Sequence, residues 1–296
     1  MPNMKERPHT AVKLTESELD EIRALIEQRS AILFDSSRER FFSTRVRAHL
    51  QETRIATGSD LLRRVRGSAS EYDALLEGLL TQETSFFRYP AVYEALERTI
   101  LPEIQERKFW QSPRTLRIWS AGCSTGEEPY SIAITVSDAL KFAEAWEIDI
   151  LATDVSRRAL RHAEHGVYSR RSLQHLSPRQ VETYFTAVKH GFQVRLRTRK
   201  LISFAQMNLV EPVYVGKVDC IFCMNVLMYF SEESRLAILR RFYDALEPGG
   251  YFLLGHSETL SNTPMKFEPV TLGDCRLYRK PAAQPRPAHA LVEGAS

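Results

Sequence analysis

The 296-residue sequence lacks most of the features that would take it out of the ordinary globular class. No apolar run approaches the ~20 residues needed to cross a bilayer, so no membrane-spanning helix is expected. The opening stretch, M-P-N-M-K-E-R-P-H-T, has no apolar segment of the secretory kind, which points to a cytoplasmic protein. Cysteine is scarce: Cys123, Cys220, Cys223 and Cys275. Cys220 and Cys223 have the spacing of a redox or metal pair. They sit inside V-D-C-I-F-C-M-N-V, however, a buried-strand pattern, and are expected to be plain buried thiols. No second pair completes a zinc site, so no metal is expected. The charge excess is only +3, too little to indicate nucleic acid by itself. Phosphate loops of the G-x-G-x-x-G and G-K-[ST] kinds are missing as well.

What is present is 43% hydrophobic and 26% charged, enough for one or two cores. The chain is organised around L-R-I-W-S-A-G-C-S-T-G-E-E-P-Y-S-I, residues 116–132. Leu116, Ile118 and Trp119 read as a buried strand. A small-residue loop follows, and a helix opens with Glu127, Glu128 and Pro129. Strand, glycine turn and helix form a crevice at the carboxyl end of the first strand of an α/β fold. Gly122 and Gly126 let a backbone approach a ligand closely. Two carboxylates stand where a phosphate loop has lysine, so the loop suits a cation. S-adenosylmethionine, with its ammonium and sulfonium, fits that description; an ordinary turn with solvated acids is the alternative.

Residues 1–13 read as a disordered leader and 281–296, rich in Pro and Ala, as a disordered tail. Between them, residues 14–82 have the pattern of a small helical domain. Thr15 and Glu18 form a capping box before apolar Leu19, Ile22, Leu25 and Ile26. Ser59 and Ser68 are expected to cap two later helices. Arg38, Arg40, Arg45, Arg47, His49 and Arg54 give the domain a basic face, either simply solvated or a docking surface for an acidic partner. Residues 83–90 form a joint containing Phe86, Phe87 and Arg88, and 91–280 a second domain. In that domain I-D-I-L-A-T-D is a second strand. It ends at Asp154, placed to accept from ribose hydroxyls or to cap the next helix. Residues of about 181–206 look like an inserted antiparallel appendage turning at Lys189-His190-Gly191. V-D-C-I-F-C-M-N-V and Y-F-L-L-G-H are further strands, and Leu272-Gly273-Asp274 turns a closing hairpin.

Several motifs now stand in order: T-S-F-F-R at 84–88, G-C-S-T-G-E-E-P-Y-S at 122–131, A-T-D at 152–154, N-L at 208–209, N-V-L-M-Y-F at 225–230 and G-H-S-E at 255–258. With a helical domain before them and a small β-insertion among them, the chain resembles the CheR-type chemoreceptor glutamate O-methyltransferases over residues 15–280. The resemblance implies an α/β fold of the class I S-adenosylmethionine-dependent methyltransferases: Rossmann-like, with a seven-stranded mixed sheet, an N-terminal all-α domain and a small antiparallel insertion. It implies methyl transfer from S-adenosylmethionine to glutamates on the cytoplasmic helices of methyl-accepting chemoreceptors, with S-adenosylhomocysteine as product. Cofactor contacts carry over to Gln82, Thr84 and Arg88 from the joint, to Gly122 and Glu128 with its neighbour Glu127, and to Asp154 on the ribose. Asn208 and Leu209 fall on the adenine side, and Cys223, Met224 and Asn225 at a strand end beside the ligand. Tyr229 matches a tyrosine near the transferred methyl. Arg88 could hold the cofactor carboxylate or the acceptor glutamate; Tyr229 could position the acceptor or cap a core edge. Arg45, Arg47 and Arg54 become candidate readers of an acidic receptor helix.

The reaction fits the absence of a His–Asp or Cys–His apparatus. A glutamate carboxylate is already ionised at neutral pH and needs no general base; alignment is the main task. Two departures stand out. The family pattern has Arg-Asn-Val where this chain has Met224-Asn225-Val226. The turn at Lys189-His190-Gly191 is short and lacks the Gly-Gly of members that dock on a receptor's C-terminal pentapeptide, so a pentapeptide-independent enzyme, acting as a monomer, is expected. Competing readings are a non-catalytic cofactor- or receptor-binding module and a nucleic-acid methyltransferase. The latter is disfavoured because no Pro-Pro follows Asn225 and no aromatic stacking platform accompanies the arginines.

Overall fold

A computed structural model describes residues 13–260 and 263–282. The expected leader, but for Lys13, and the expected tail, but for Pro281 and Ala282, lie outside the described residues.

The N-terminal part is helical: α1 (Glu16–Ser30), α2 (Glu39–Thr53), α3 (Gly58–Gly67) and α4 (Ala69–Leu79). The capping box forms, with Thr15 and Glu18 exchanging hydrogen bonds. Ser68 caps α4, but α3 is capped by Thr57 rather than Ser59. Ser59 instead gives its N–H and hydroxyl to Glu18, pinning α3 to the start of α1. Ile22, Ile26, Phe42, Val46, Leu61 and Leu75 recur at helical spacing and fill the core between these helices.

After the joint comes one long helical stretch, α5 (Pro90–Ala95) and α6 (Leu101–Arg107), interrupted by a π-turn at Leu96–Ile100. Pro102 has no N–H to give the preceding turn, and the Leu101 N–H reaches five residues back to Leu96. The sheet strands follow: β1 (Arg114–Ala121), β2 (Trp146–Asp154), β6 (Ile202–Gln206), β7 (Val218–Cys223), β8 (Leu246–Leu254), β9 (Glu268–Leu272) and β10 (Cys275–Arg279), with short β3 (Val167–Tyr168), β4 (Phe185–Val188) and β5 (Gly191–Val194) elsewhere. The seven-stranded sheet has the order β6-β2-β1-β7-β8-β10-β9. β6, β2, β1, β7 and β8 are parallel, and β10 runs antiparallel to both its neighbours. The chain builds outward from β1 to β6 and then returns to β7, so the strand order switches beside β1. Ligand crevices form at that point, at the carboxyl ends of the strands. Helices α7 (Glu127–Ala139), α8 (Arg157–His165), α9 (Pro178–Tyr184), α10 (Leu196–Arg199) and α11 (Glu232–Ala245) complete the domain.

The insertion differs from the expectation of about 181–206. Its three-stranded sheet is β3-β5-β4 and begins at Val167. Residues 178–184 are helical because Ser177 and Gln180 make a second capping box around Pro178. Residues 202–206 are not part of it: Ile202 pairs with Ile150, making β6 the edge of the main sheet. The cysteine pair is split by strand geometry. Cys220 faces the core on one side of the sheet and Cys223, three residues on, the other.

A buried ion cluster ties the far end of the sheet, at the start of β7. The fully buried Asp219 accepts from Arg107 Nη2 at 2.8 Å, Lys108 Nζ at 2.6 Å and the Arg117 N–H at 3.0 Å. Asp219→Ala would strand the buried Lys108 ammonium, and a loss of about 3–5 kcal/mol is expected in a denaturant melt.

Candidate active site

The switch point opens into a cleft that encloses about 1000 Å³ of empty space, part of it open to solvent. Four segments converge on it. The first is the loop after β1. Gly122 has φ +86°, and a Cβ there would fall 2.4 Å from Val226 Cγ2, so only glycine fits. Its N–H and that of Cys123 both bond the Thr153 carbonyl, locking the loop to the end of β2.

The second segment is the end of β2. The Asp154 carboxylate accepts the Ser124 N–H on one oxygen (2.8 Å) and the Ser156 N–H on the other (2.9 Å). Burial raises its pKa and these amides pull it back. Each oxygen keeps a lone pair for a ligand hydroxyl.

The third is the joint. Phe86 is fully buried between Tyr168 and Phe185, edge-on to both. The Phe87 N–H bonds the Ser131 hydroxyl on α7. With Phe86 and Phe87 fixed, Arg88 lines the cleft, and its Nη1 gives one bond to the Glu83 carbonyl at 2.7 Å. Gln82 Nε2 donates to Ser156 Oγ at 3.2 Å.

The fourth is the loop after β7. Asn225 is in the left-handed region, φ +61°. Glu258 holds it there: its carboxylate accepts the N–H groups of Asn225, Gly255 and Met228. Tyr89 Oη donates to Asn225 Oδ1 at 2.9 Å, joining this loop to the joint. The helical domain closes the rim. Leu33 N–H bonds the Tyr229 carbonyl, the Arg38 guanidinium lies 4.8 Å over the Tyr229 ring, and Asn208 Nδ2 donates to the Arg29 carbonyl.

Of the residues singled out in the sequence, Gln82, Thr84, Arg88, Gly122, Glu128, Asp154, Asn208, Leu209, Met224, Asn225 and Tyr229 all line this cleft. Two lie off it. Glu127 turns to the Thr125 hydroxyl in the helix-opening turn, and Cys223 is buried in β7. Arg45, Arg47 and Arg54 are exposed on α2 and at its end, outside the lining, whereas His49 of the same run is buried. Tyr93, Ser124 and Val155 also line the cleft and were not anticipated. Glu258 lies in the G-H-S-E motif, but its role as an organiser of the Asn225 loop has no signal in the one-dimensional pattern.

The lining suits a cation. Among the described residues, Glu83, Glu128 and Asp154 face a single cationic side chain, Arg88. Two buried hydroxyls on the lining, Ser124 Oγ and Tyr93 Oη, have no hydrogen-bond partner among the described residues. A ligand or an ordered water in the cleft can pair them. S-adenosylmethionine, with hydroxyls, an ammonium, a sulfonium and a carboxylate, fits this donor and acceptor set; a polyphosphate does not.

Residues 82–274 match the family described as CheR methyltransferase, SAM binding domain, and residues 17–80 the one described as CheR methyltransferase, all-alpha domain. The chain belongs to the CheR methyltransferase family. It is 33% identical over 277 residues to a chemotaxis protein methyltransferase of Vibrio parahaemolyticus, covering 91% of this chain and 99% of that one. It is 33% identical over 266 residues to chemotaxis protein methyltransferase 1 of Pseudomonas aeruginosa, covering 87% and 95%. Identity to the Escherichia coli chemotaxis protein methyltransferase is 34% over 264 residues, covering 86% and 88%. This CheR chain is therefore an S-adenosylmethionine-dependent methyltransferase. Among the described residues no helix is long and apolar enough to cross a membrane.

In this CheR cleft Glu128 titrates where it matters. Burial raises its pKa to about 7, although the Ser120 hydroxyl, at 2.6 Å, and Arg88 favour the ionised form. A cation binds the carboxylate and not the acid. If Glu128 takes the ammonium of S-adenosylmethionine, affinity should fall as pH drops below about 7, by at most roughly tenfold per unit, and level off above it. Calorimetry between about pH 5.5 and 7.5 reads this, and Glu128→Gln should flatten the profile.

Proposed function

We propose that this chain transfers the methyl group of S-adenosylmethionine to glutamate side chains on the cytoplasmic helices of a chemoreceptor, giving methyl esters that serve chemosensory adaptation. The observation that carries the reading is the cleft itself: half-buried Asp154 and buried Glu128 at the switch point, faced by Arg88 from the joint and Tyr229 at the rim. The names of the matched relatives supply the chemotaxis context.

In this reading Asp154 takes the ribose hydroxyls, Asn208 and Leu209 the adenine side, and Glu128 the ammonium. Gln82 and Thr84 close over the cofactor from the joint, and Gly122, Met224 and Asn225 shape the wall. Arg88, as the cation of the lining, takes the cofactor carboxylate. When bound, the cofactor supplies a methyl group on a sulfonium, an activated leaving group. The residues of the chain have only to align and to exclude water. Tyr229 positions the incoming carboxylate, which is ionised at neutral pH and needs no base.

The division of labour follows the chain. Residues 14–82 dock the receptor, 83–90 place Arg88, and 91–280 carry the transfer. The exposed Arg45, Arg47 and Arg54 complement an acidic helix. In this reading the chain acts as a monomer. β4 and β5 are joined by Lys189 and His190 alone, a turn too short to offer a peptide a third edge, which supports docking without a receptor-tail tether. The test is peptide mapping of a chemoreceptor cytoplasmic fragment after incubation with enzyme and S-adenosylmethionine. Methyl groups on glutamates are expected, and much less of them with Arg45, Arg47 and Arg54 changed to Glu. An unmodified fragment would sink the reading.

A further inference from the structure

We propose that Tyr93 is a cofactor-binding residue, whose buried hydroxyl completes with Glu128 a subsite for the amino-acid end of the cofactor. The inference deepens the function proposed above and rests on it. Tyr93 sits in α5, directly after the joint. Its ring is held edge-on by Phe87 at 5.0 Å and stacked on Phe222 at 6.3 Å, and the residue is only 3% exposed. Its hydroxyl makes no hydrogen bond among the described residues. The nearby Ser131 hydroxyl has no proton to offer the phenol oxygen, because it gives its proton to the Glu127 carbonyl.

A phenylalanine would fill this packing site equally well, without a stranded hydroxyl. An unpaired buried hydroxyl is unfavourable in the free protein and is compensated only when something brings it a partner. Tyr93 lines the cofactor cleft together with Glu128, Arg88 and Met224. Glu128 uses one carboxylate oxygen for the Ser120 hydroxyl, and its other oxygen makes no hydrogen bond among the described residues. The charge of Glu128 is felt at the phenol, where it adds to burial in holding the proton on. An ammonium carries three N–H donors and needs more than one acceptor. Glu128 supplies the charge and one acceptor; the Tyr93 oxygen supplies another. The nucleoside end of the cleft, at Asp154 and Asn208, is served by other residues, so Tyr93 should be indifferent to it.

The test uses two ligands that share the adenosine and the thioether. S-adenosylhomocysteine has the amino-acid end and 5′-methylthioadenosine lacks it. Calorimetry and thermal melts are run on the full chain, wild type beside Tyr93→Phe. The expected result is a loss of about three- to tenfold in S-adenosylhomocysteine affinity, the size of one hydrogen bond. Affinity for 5′-methylthioadenosine is unchanged, and the ligand-free Tm is equal or higher. Equal S-adenosylhomocysteine affinity in both proteins overturns the proposal. So does an equal loss for both ligands, or a lowered ligand-free Tm with unchanged affinities, since each describes packing alone. A wild-type chain that binds neither ligand overturns the proposed function, and the inference with it.

Discussion

Replacing Asp154 with alanine is expected to weaken S-adenosylmethionine binding on the order of 10²-fold, the size of two lost hydrogen bonds to a charged group. The carboxylate does more than face the ligand. One oxygen holds the Ser124 N–H, and with it the loop after β1; the other holds the Ser156 N–H at the start of α8. Its removal frees the loop that shapes the cleft. Asparagine should be no rescue. Both oxygens accept from backbone N–H groups, so an amide NH₂ in either place sets a donor against a donor. Asp154→Asn should therefore bind nearly as poorly as Asp154→Ala in calorimetry. Wild-type affinity in either variant would remove Asp154 from the site.

The second large effect is expected at Arg88. Among the described residues it is the one cationic side chain on the lining, and the neighbouring Met224 offers no charge to replace it. Arg88→Ala should lower kcat/KM by about 10²- to 10³-fold, as removal of an aligned electrostatic donor does elsewhere. Arg88→Lys should recover little, because a point-charge ammonium does not reproduce the planar fork. If Arg88 holds the cofactor carboxylate, the affinity for S-adenosylhomocysteine falls in step with kcat/KM. Unchanged cofactor affinity with lost turnover would move Arg88 to the acceptor.

Much of this was visible in one dimension, for definite reasons. The strand–glycine turn–helix at 116–132 forms as expected because φ above +80° is required at Gly122 and Gly126 and no other residue tolerates it. Local caps at Thr15 and Ser68 formed where a short-range hydrogen bond decides the helix start. Where a long-range partner decides, the pattern misled. Ser59 was drawn from capping by Glu18, 41 residues away, and Ile202–Gln206 was drawn into the main sheet by β2. β3 is two residues long, too short for any alternation to register. The insertion could therefore be detected but not delimited. In the site, Tyr93 has the periodicity of a core residue and is one by packing. Only the placement of its hydroxyl on the cleft distinguishes it, and Glu258 acts through backbone amides that no motif encodes.

The most direct test of the central claim is the alkali lability of the transferred methyl. Labelled S-adenosylmethionine, the enzyme and a chemoreceptor cytoplasmic fragment are incubated, and the protein is then treated with base. A glutamate methyl ester hydrolyses and releases its label as volatile methanol, and Arg88→Ala should leave almost none to release. Label that stays on the protein through base would mean a nitrogen or carbon acceptor and would contradict glutamate O-methylation.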